Sequence, residues 1–129
     1  MRRSPDHART LLDRARGDAL VLKLGLSDSA LPGWIVGFHA QQAVEKAIKA
    51  VLTVRSVAYP PTHDLEHLLE LCETFGIAPP PYRDRLLRLT PFGAALRYED
   101  DAVGGMALDR PSAHATVREV LAWAEALVA

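Results

Sequence analysis

Gly37-Phe38-His39-Ala40-Gln41-Gln42-Ala43-Val44-Glu45-Lys46-Ala47-Ile48-Lys49-Ala50-Val51-Leu52 is the stretch that decides the fold. It is rich in alanine and holds neither glycine nor proline after Gly37, so nothing in it interrupts a helix. Val36, Ala40, Ala43, Ala47, Ala50, Val51 and Val54 recur at helical spacing as one apolar stripe, which extends the element from Pro32 to about Arg55. The alanines keep that stripe thin, and a neighbouring helix can approach closely. The opposite side is unusual. At helical pitch it carries His39, Gln41, Gln42, Glu45, Lys46 and Lys49, and among them Trp34, Phe38 and Leu52. Glu45 ahead of Lys49 is the favourable order for an ion pair within a helix. The large apolar residues imply that this face is covered, by the loop around Tyr59 or by a second subunit.

Outward from that helix the punctuation is regular. Ser4-Pro5 caps and opens an earlier helix, with Ala8, Leu11, Leu12, Ala15, Ala19, Leu22 and Leu26 on one face. Gly17 weakens this helix without ending it. Tyr59-Pro60-Pro61 breaks the pattern, because residues before proline are pushed out of the α region. Thr62 or Asp64 then caps a third helix, whose Leu65, Leu68, Leu69, Cys72 and Phe75 fall at core spacing and which ends near Gly76. Pro79-Pro80-Pro81 is a stiff connector. Tyr82 to about Glu99 reads as helical, interrupted at Thr90-Pro91. Asp100 to Arg110 reads as a loop, and Pro111 to Val128 as a last helix with Ala113, Val117, Val120, Leu121, Ala124 and Leu127 inward. No segment shows strand alternation. The expectation is one domain, residues 1–129, folded as an all-α up-and-down bundle of four main helices, with a short fifth if Pro91 divides the fourth.

Composition narrows the function classes. A chain of 129 residues closes one hydrophobic core, and with aromatics at 6% that core must be built from Leu, Val and Ala. A net charge of −1 supplies no global field to recruit nucleic acid. Cys72 is the only cysteine, which excludes an intrachain disulfide, and its core spacing marks it as a small buried hydrophobe. No metal-ligand spacing surrounds it, so neither a metal nor another cofactor is expected. The basic N-terminus leads into no apolar run, and no stretch is long enough to span a membrane; the expected location is the cytoplasm. Walker A, dinucleotide and serine-hydrolase motifs are all absent.

Three segments recur in a recognisable order: the Phe38–Leu52 helix, Pro60-Pro61-Thr62-His63-Asp64-Leu65, and Leu96-Arg97-Tyr98-Glu99-Asp100. Across roughly the whole chain this triplet resembles the HEPN family (higher eukaryotes and prokaryotes nucleotide-binding domains). The nearest likeness is to its small bacterial stand-alone, nucleotidyltransferase-associated form. Many HEPN ribonucleases carry an arginine and, after four to six intervening residues, a histidine. The arginine holds the scissile phosphate and the histidine moves the proton, with two subunits forming a composite cleft. Arg97 matches the arginine by context, but the positions for the histidine hold Ala102, Val103 and Gly104, none of which transfers a proton. The ribonuclease motif is incomplete. Arg2 to His7 and Arg110 to His114 are chance spacings, one at the N-terminus and one across a helix start.

The resemblance implies a binding and regulatory module rather than an enzyme. Its ligand would be a nucleotide or an RNA, contacted by Lys46, Lys49, His63 and Arg97. Asp64, Tyr98 and Asp100 would support the helix ends; for Asp64 this is also the plain reading of an acid at a helix start. Family members commonly pair, and with Trp34 and Phe38 on a polar face this points to a homodimer. A minimal nucleotidyltransferase is the implied partner, in a toxin–antitoxin-like system. Two alternatives stand beside this reading. One is a metal-independent endoribonuclease toxin using Arg97 with His63 as a relocated histidine; the other is a purely structural dimerisation domain.

Overall fold

A computed structural model describes residues 5–93, 102–103 and 106–129. In chain order these form α1 (Pro5–Ser27), α2 (Gly33–Val54), α3 (Leu65–Thr74), α4 (Arg83–Leu87), a 3₁₀ turn (Thr90–Phe92), β1 (Ala102–Val103), β2 (Met106–Ala107) and α5 (Arg110–Val128). The fold is all-α, as the periodicity predicts.

α2 lies at the centre, in contact with α1, α5, α3, the 3₁₀ turn and β1. Its alanine stripe, Ala40, Ala43, Ala47 and Ala50, is fully enclosed, and so are Val44, Ile48, Val51 and Leu52 from the rest of its circumference. Burying each of the larger of these side chains stabilises the fold by about 1.5–3 kcal/mol. α1 buries Ala8, Leu12, Ala15, Asp18, Leu22 and Gly25, an unbroken stripe at helical spacing with an acid in its middle. α5 closes the core with Ala113, Val117, Val120, Leu121 and Ala124, and it packs on both long helices.

The local signals act where the sequence places them. Asp64 caps α3, its carboxylate accepting the Glu66 amide at 3.1 Å. Gly76 ends that helix at φ +70°, and the Ile77 amide reaches back to the Cys72 carbonyl at 2.9 Å. Asp109 caps α5 through the Ser112 amide. Arg110 then joins α5 to the opposite corner. Its guanidinium donates to the carbonyls of Gly25 at 3.0 Å, in the last turn of α1, and of Asp28 at 3.3 Å and Leu31 at 2.6 Å in the turn that follows.

Four expectations need correction. Leu26 and Phe75 are exposed: Leu26 lies in the last turn of α1, and Phe75 is the C-cap of α3, past the last buried turn. The expected helix from Tyr82 is only five residues long among the described ones. Tyr82 itself sits in the left-handed region at φ 64°, so the helix begins after it. Pro91, which donates no amide, stands in a 3₁₀ turn where the interruption is expected, and the expected continuation to about Glu99 lies outside the described residues. Finally, the expected loop before α5 contains the antiparallel pair β1–β2, with Ala102 opposite Ala107 and Val103 opposite Met106. Strands of two residues are too short for alternation to show.

The 3₁₀ turn docks on α2 through two glycines. The Phe92 ring lies against Gly37, where a Cβ would come within 2.3 Å of the ring. One turn further along α2, the Gln41 amide lies against Gly93, where a Cβ would meet its Cδ at 2.5 Å. Gly17 on α1, by contrast, faces open space. Replacing Gly37 by alanine should therefore lower stability by about 1–3 kcal/mol through overpacking. Gly17→Ala should raise it by about 0.5–1 kcal/mol through helix propensity. Urea unfolding of the two variants checks both signs.

Candidate functional site

Glu45 is almost completely enclosed, yet it carries a carboxylate, and three groups converge on it. Gln41 Nε2 donates to Oε1 at 2.9 Å, one helical turn below. His63 Nδ1 reaches the same oxygen at 2.9 Å from the segment ahead of α3. Lys49 Nζ donates to Oε2 at 2.9 Å. Gln41 is in turn fully used: its amide also donates to the His63 carbonyl at 3.0 Å and accepts from Gln42 Nε2 at 2.8 Å. The Tyr59 ring lies 5.5 Å from Lys49 Nζ, and its hydroxyl is 3.4 Å from that of Thr53. The Glu45–Lys49 part of the polar face of α2 is thus covered by the chain's own loop around Tyr59, one of the two covers expected for it, while His39 and Lys46 stay partly exposed.

A second cluster lies along the other edge of the same face. Asp18 of α1 is buried; His39 Nδ1 lies 2.8 Å from its Oδ1, and Lys46 Nζ donates to its Oδ2 at 2.6 Å. The Phe38 and His39 rings stand nearly perpendicular, with centroids 5.4 Å apart. An ionised carboxylate only accepts, so in both clusters the histidine Nδ1 carries the hydrogen. The ring's Nε2 is then its remaining polar atom.

Of the residues expected to bind a ligand, Lys49 and His63 meet on Glu45, while Lys46 is drawn away to Asp18. Arg97, Tyr98 and Asp100 lie outside the described residues. Asp64 caps α3, and Trp34 and Phe38 are both half-buried. Asp18 and His39 are the residues sequence reasoning missed as a pair. An acid in phase with an otherwise apolar core stripe was the available signal. The chance spacing from Arg110 to His114 makes no joint site, since Arg110 is spent on the carbonyls of the α1–α2 corner. Burial, and then the charges of Arg118 and Lys23, hold the His114 imidazole below its ordinary range. Among the described residues no group of three His, Cys, Asp or Glu side chains is placed to hold a metal. Among them, too, no helix is long and apolar enough to cross a membrane.

Burial alone pushes the Glu45 carboxyl up. The hydrogen bonds from Gln41, Lys49 and His63, with the Lys49 charge, outweigh that and leave it below its ordinary 4.5. Burial and the neighbouring Glu73 raise the Cys72 thiol to about 11, the behaviour of an inert core cysteine.

Compared with known protein families, the chain matches the HEPN domain model over residues 8–128. No curated protein and no solved structure matches it.

The Glu45 environment generates a pH dependence. A carboxyl held lower in the folded than in the unfolded chain stabilises above the unfolded value and loses that contribution as pH falls through the folded one. Stability should therefore fall as pH drops below about 4.5. Glu45→Gln should be less stable at neutral pH by about 1–3 kcal/mol and should flatten this acid limb. Denaturant unfolding of both proteins between neutral and acid pH measures the difference.

Proposed function

The chain belongs to the HEPN domain family, and on that premise we propose that it is a binding and regulatory module holding a phosphate-bearing ligand, a nucleotide or an RNA, on the polar face of α2. One observation carries this reading. Lys46 and Lys49 are each fixed by a buried carboxylate, and the His63 side chain beside them is 58% exposed with its Nδ1 already oriented. Cations positioned in advance bind phosphate without the cost of ordering them. Arg97 completes the contact set as a third cation; it follows by four residues Gly93, which lies against Gln41. Asp64, Tyr98 and Asp100 support the neighbouring chain ends.

Catalysis is not part of this reading, because an arginine binds phosphate but does not shuttle a proton at neutral pH. Ala102, Val103 and Gly104 supply no partner for it. The module acts in the cytoplasm as a homodimer paired through Trp34 and Phe38. Its partner is a minimal nucleotidyltransferase in a toxin–antitoxin-like arrangement. A second reading has one specific support: the Glu45–His63 pair has the build of a general base, a carboxylate on Nδ1 with Nε2 outward. On that reading the chain is a metal-independent endoribonuclease with His63 relocated to serve Arg97.

Two measurements test these readings. RNA incubated in chelator-containing buffer with wild type, Arg97→Ala or His63→Ala should remain uncleaved, while both variants bind nucleotide or RNA more weakly. Cleavage by the wild type that both substitutions abolish would establish the ribonuclease instead; binding unchanged in both would leave only a structural dimer. Light scattering at micromolar concentration should give twice the 14.1 kDa chain mass, and Phe38→Asp should return it to one.

A further inference from the structure

The two clusters on α2 are built alike. In each, a buried carboxylate divides its two oxygens between an imidazole and an ammonium. Asp18 gives Oδ1 to His39 at 2.8 Å and Oδ2 to Lys46 at 2.6 Å; Glu45 gives Oε1 to His63 at 2.9 Å and Oε2 to Lys49 at 2.9 Å. A carboxylate buried only to tie α1 to α2 needs its lone pairs filled and nothing more. Here the groups that fill them reach the surface, His39 with 30% and Lys46 with 24% of the side chain exposed.

We infer that Asp18, His39 and Lys46 form a second phosphate subsite beside that of Lys49 and His63, so that the face takes a ligand presenting two phosphate groups. This rests on the phosphate-binding role proposed for α2 and adds to it a contacting residue, His39, a positioning residue, Asp18, and the ligand's chemistry. Lysine has three N–H donors, and its carboxylate uses one. A lysine held by a carboxylate is also the arrangement with which protein kinases present a cation to phosphate. The Nε2 of His39 accepts from a phosphate hydroxyl in the neutral ring and donates to a phosphate oxygen in the imidazolium.

The placement calls for two phosphates rather than one. Lys46 and Lys49 stand about 4.5 Å apart along the helix axis. Their ammonium groups are drawn to opposite edges, one towards α1 and the other towards the segment ahead of α3. A single phosphate satisfies one cluster. Two phosphates of one molecule, in a single-stranded nucleic acid or in a nucleoside diphosphate, satisfy both.

The test titrates the full chain with inorganic phosphate, pyrophosphate and a short oligouridylate, following the imidazole nitrogens by NMR and affinity by calorimetry. At least one two-phosphate probe should move the rings of both His39 and His63. Preference for the oligouridylate assigns the site to a strand, and preference for pyrophosphate assigns it to a diphosphate. His39→Gln should weaken the preferred probe about tenfold, the loss of one charge-assisted hydrogen bond. Its affinity for inorganic phosphate at the His63 cluster should stay within about twofold of wild type. Asp18→Asn should weaken binding likewise and remove the His39 Nδ1–H signal. A wild-type His39 ring unmoved by every probe overturns the inference without any variant, and therefore without any question of folding. If His63 responds in that case, the proposed function of the face survives; if neither ring moves, it falls as well.

Discussion

Enclosing a helix that carries a carboxylate leaves the fold one obligation: the charge must find partners inside. An isolated buried carboxylate is far too costly to keep ionised, whereas one that accepts several hydrogen bonds is tolerated. α2 is buried around most of its circumference, so Glu45 draws in Gln41 and Lys49 from its own helix and His63 from the chain ahead of α3. Gln41 then also fixes the His63 carbonyl and meets Gly93, which seats the 3₁₀ turn. Entry to α3 and the approach to residue 94 are both set by a charge in the middle of the central helix. A residue that tertiary packing could have rejected becomes the point that orders its surroundings.

The parts of this organisation that were legible in the sequence are those that depend on neighbours in the chain. The alanine stripe of α2, the cap at Asp64, the left-handed Gly76 and the inward face of α5 all follow from spacing and backbone preference. The Glu45–Lys49 pair is legible for the same reason. Asp18 was not, because its partners His39 and Lys46 lie on another helix and its own stripe shows only that it is buried. The division of Lys46 and Lys49 between two carboxylates has no trace in a helical wheel, which places both on one side. α4 is shorter than its helix formers suggest because Tyr82, in the left-handed region, stands outside it and the chain leaves the helix after Leu87, ahead of the break expected at Thr90-Pro91.

Histidine, lysine and a buried acid are a frequent structural combination, and each cluster taken singly could be explained as a clamp. Their repetition on one helix face is the observation on which the proposed phosphate site rests. The ammonium and imidazole groups are immobilised from behind and partly exposed in front, so the face is both rigid and charged where a ligand would meet it. Rigidity of this kind comes from the core: a substitution that loosened α1 against α2 would displace Asp18, and with it the geometry of His39 and Lys46.

Arg110 and the Phe92–Gly93 pair fix the chain at two points on the body of the domain, with sixteen residues between Gly93 and Arg110. Closing a longer connection between fixed points is cheap, about 0.6 kcal/mol for each doubling of its length. The span between these anchors is also the one that contains Arg97. Evolution can therefore lengthen, shorten or rewrite that span while the alanine helix, its carboxylates and the grip on the α1–α2 corner persist.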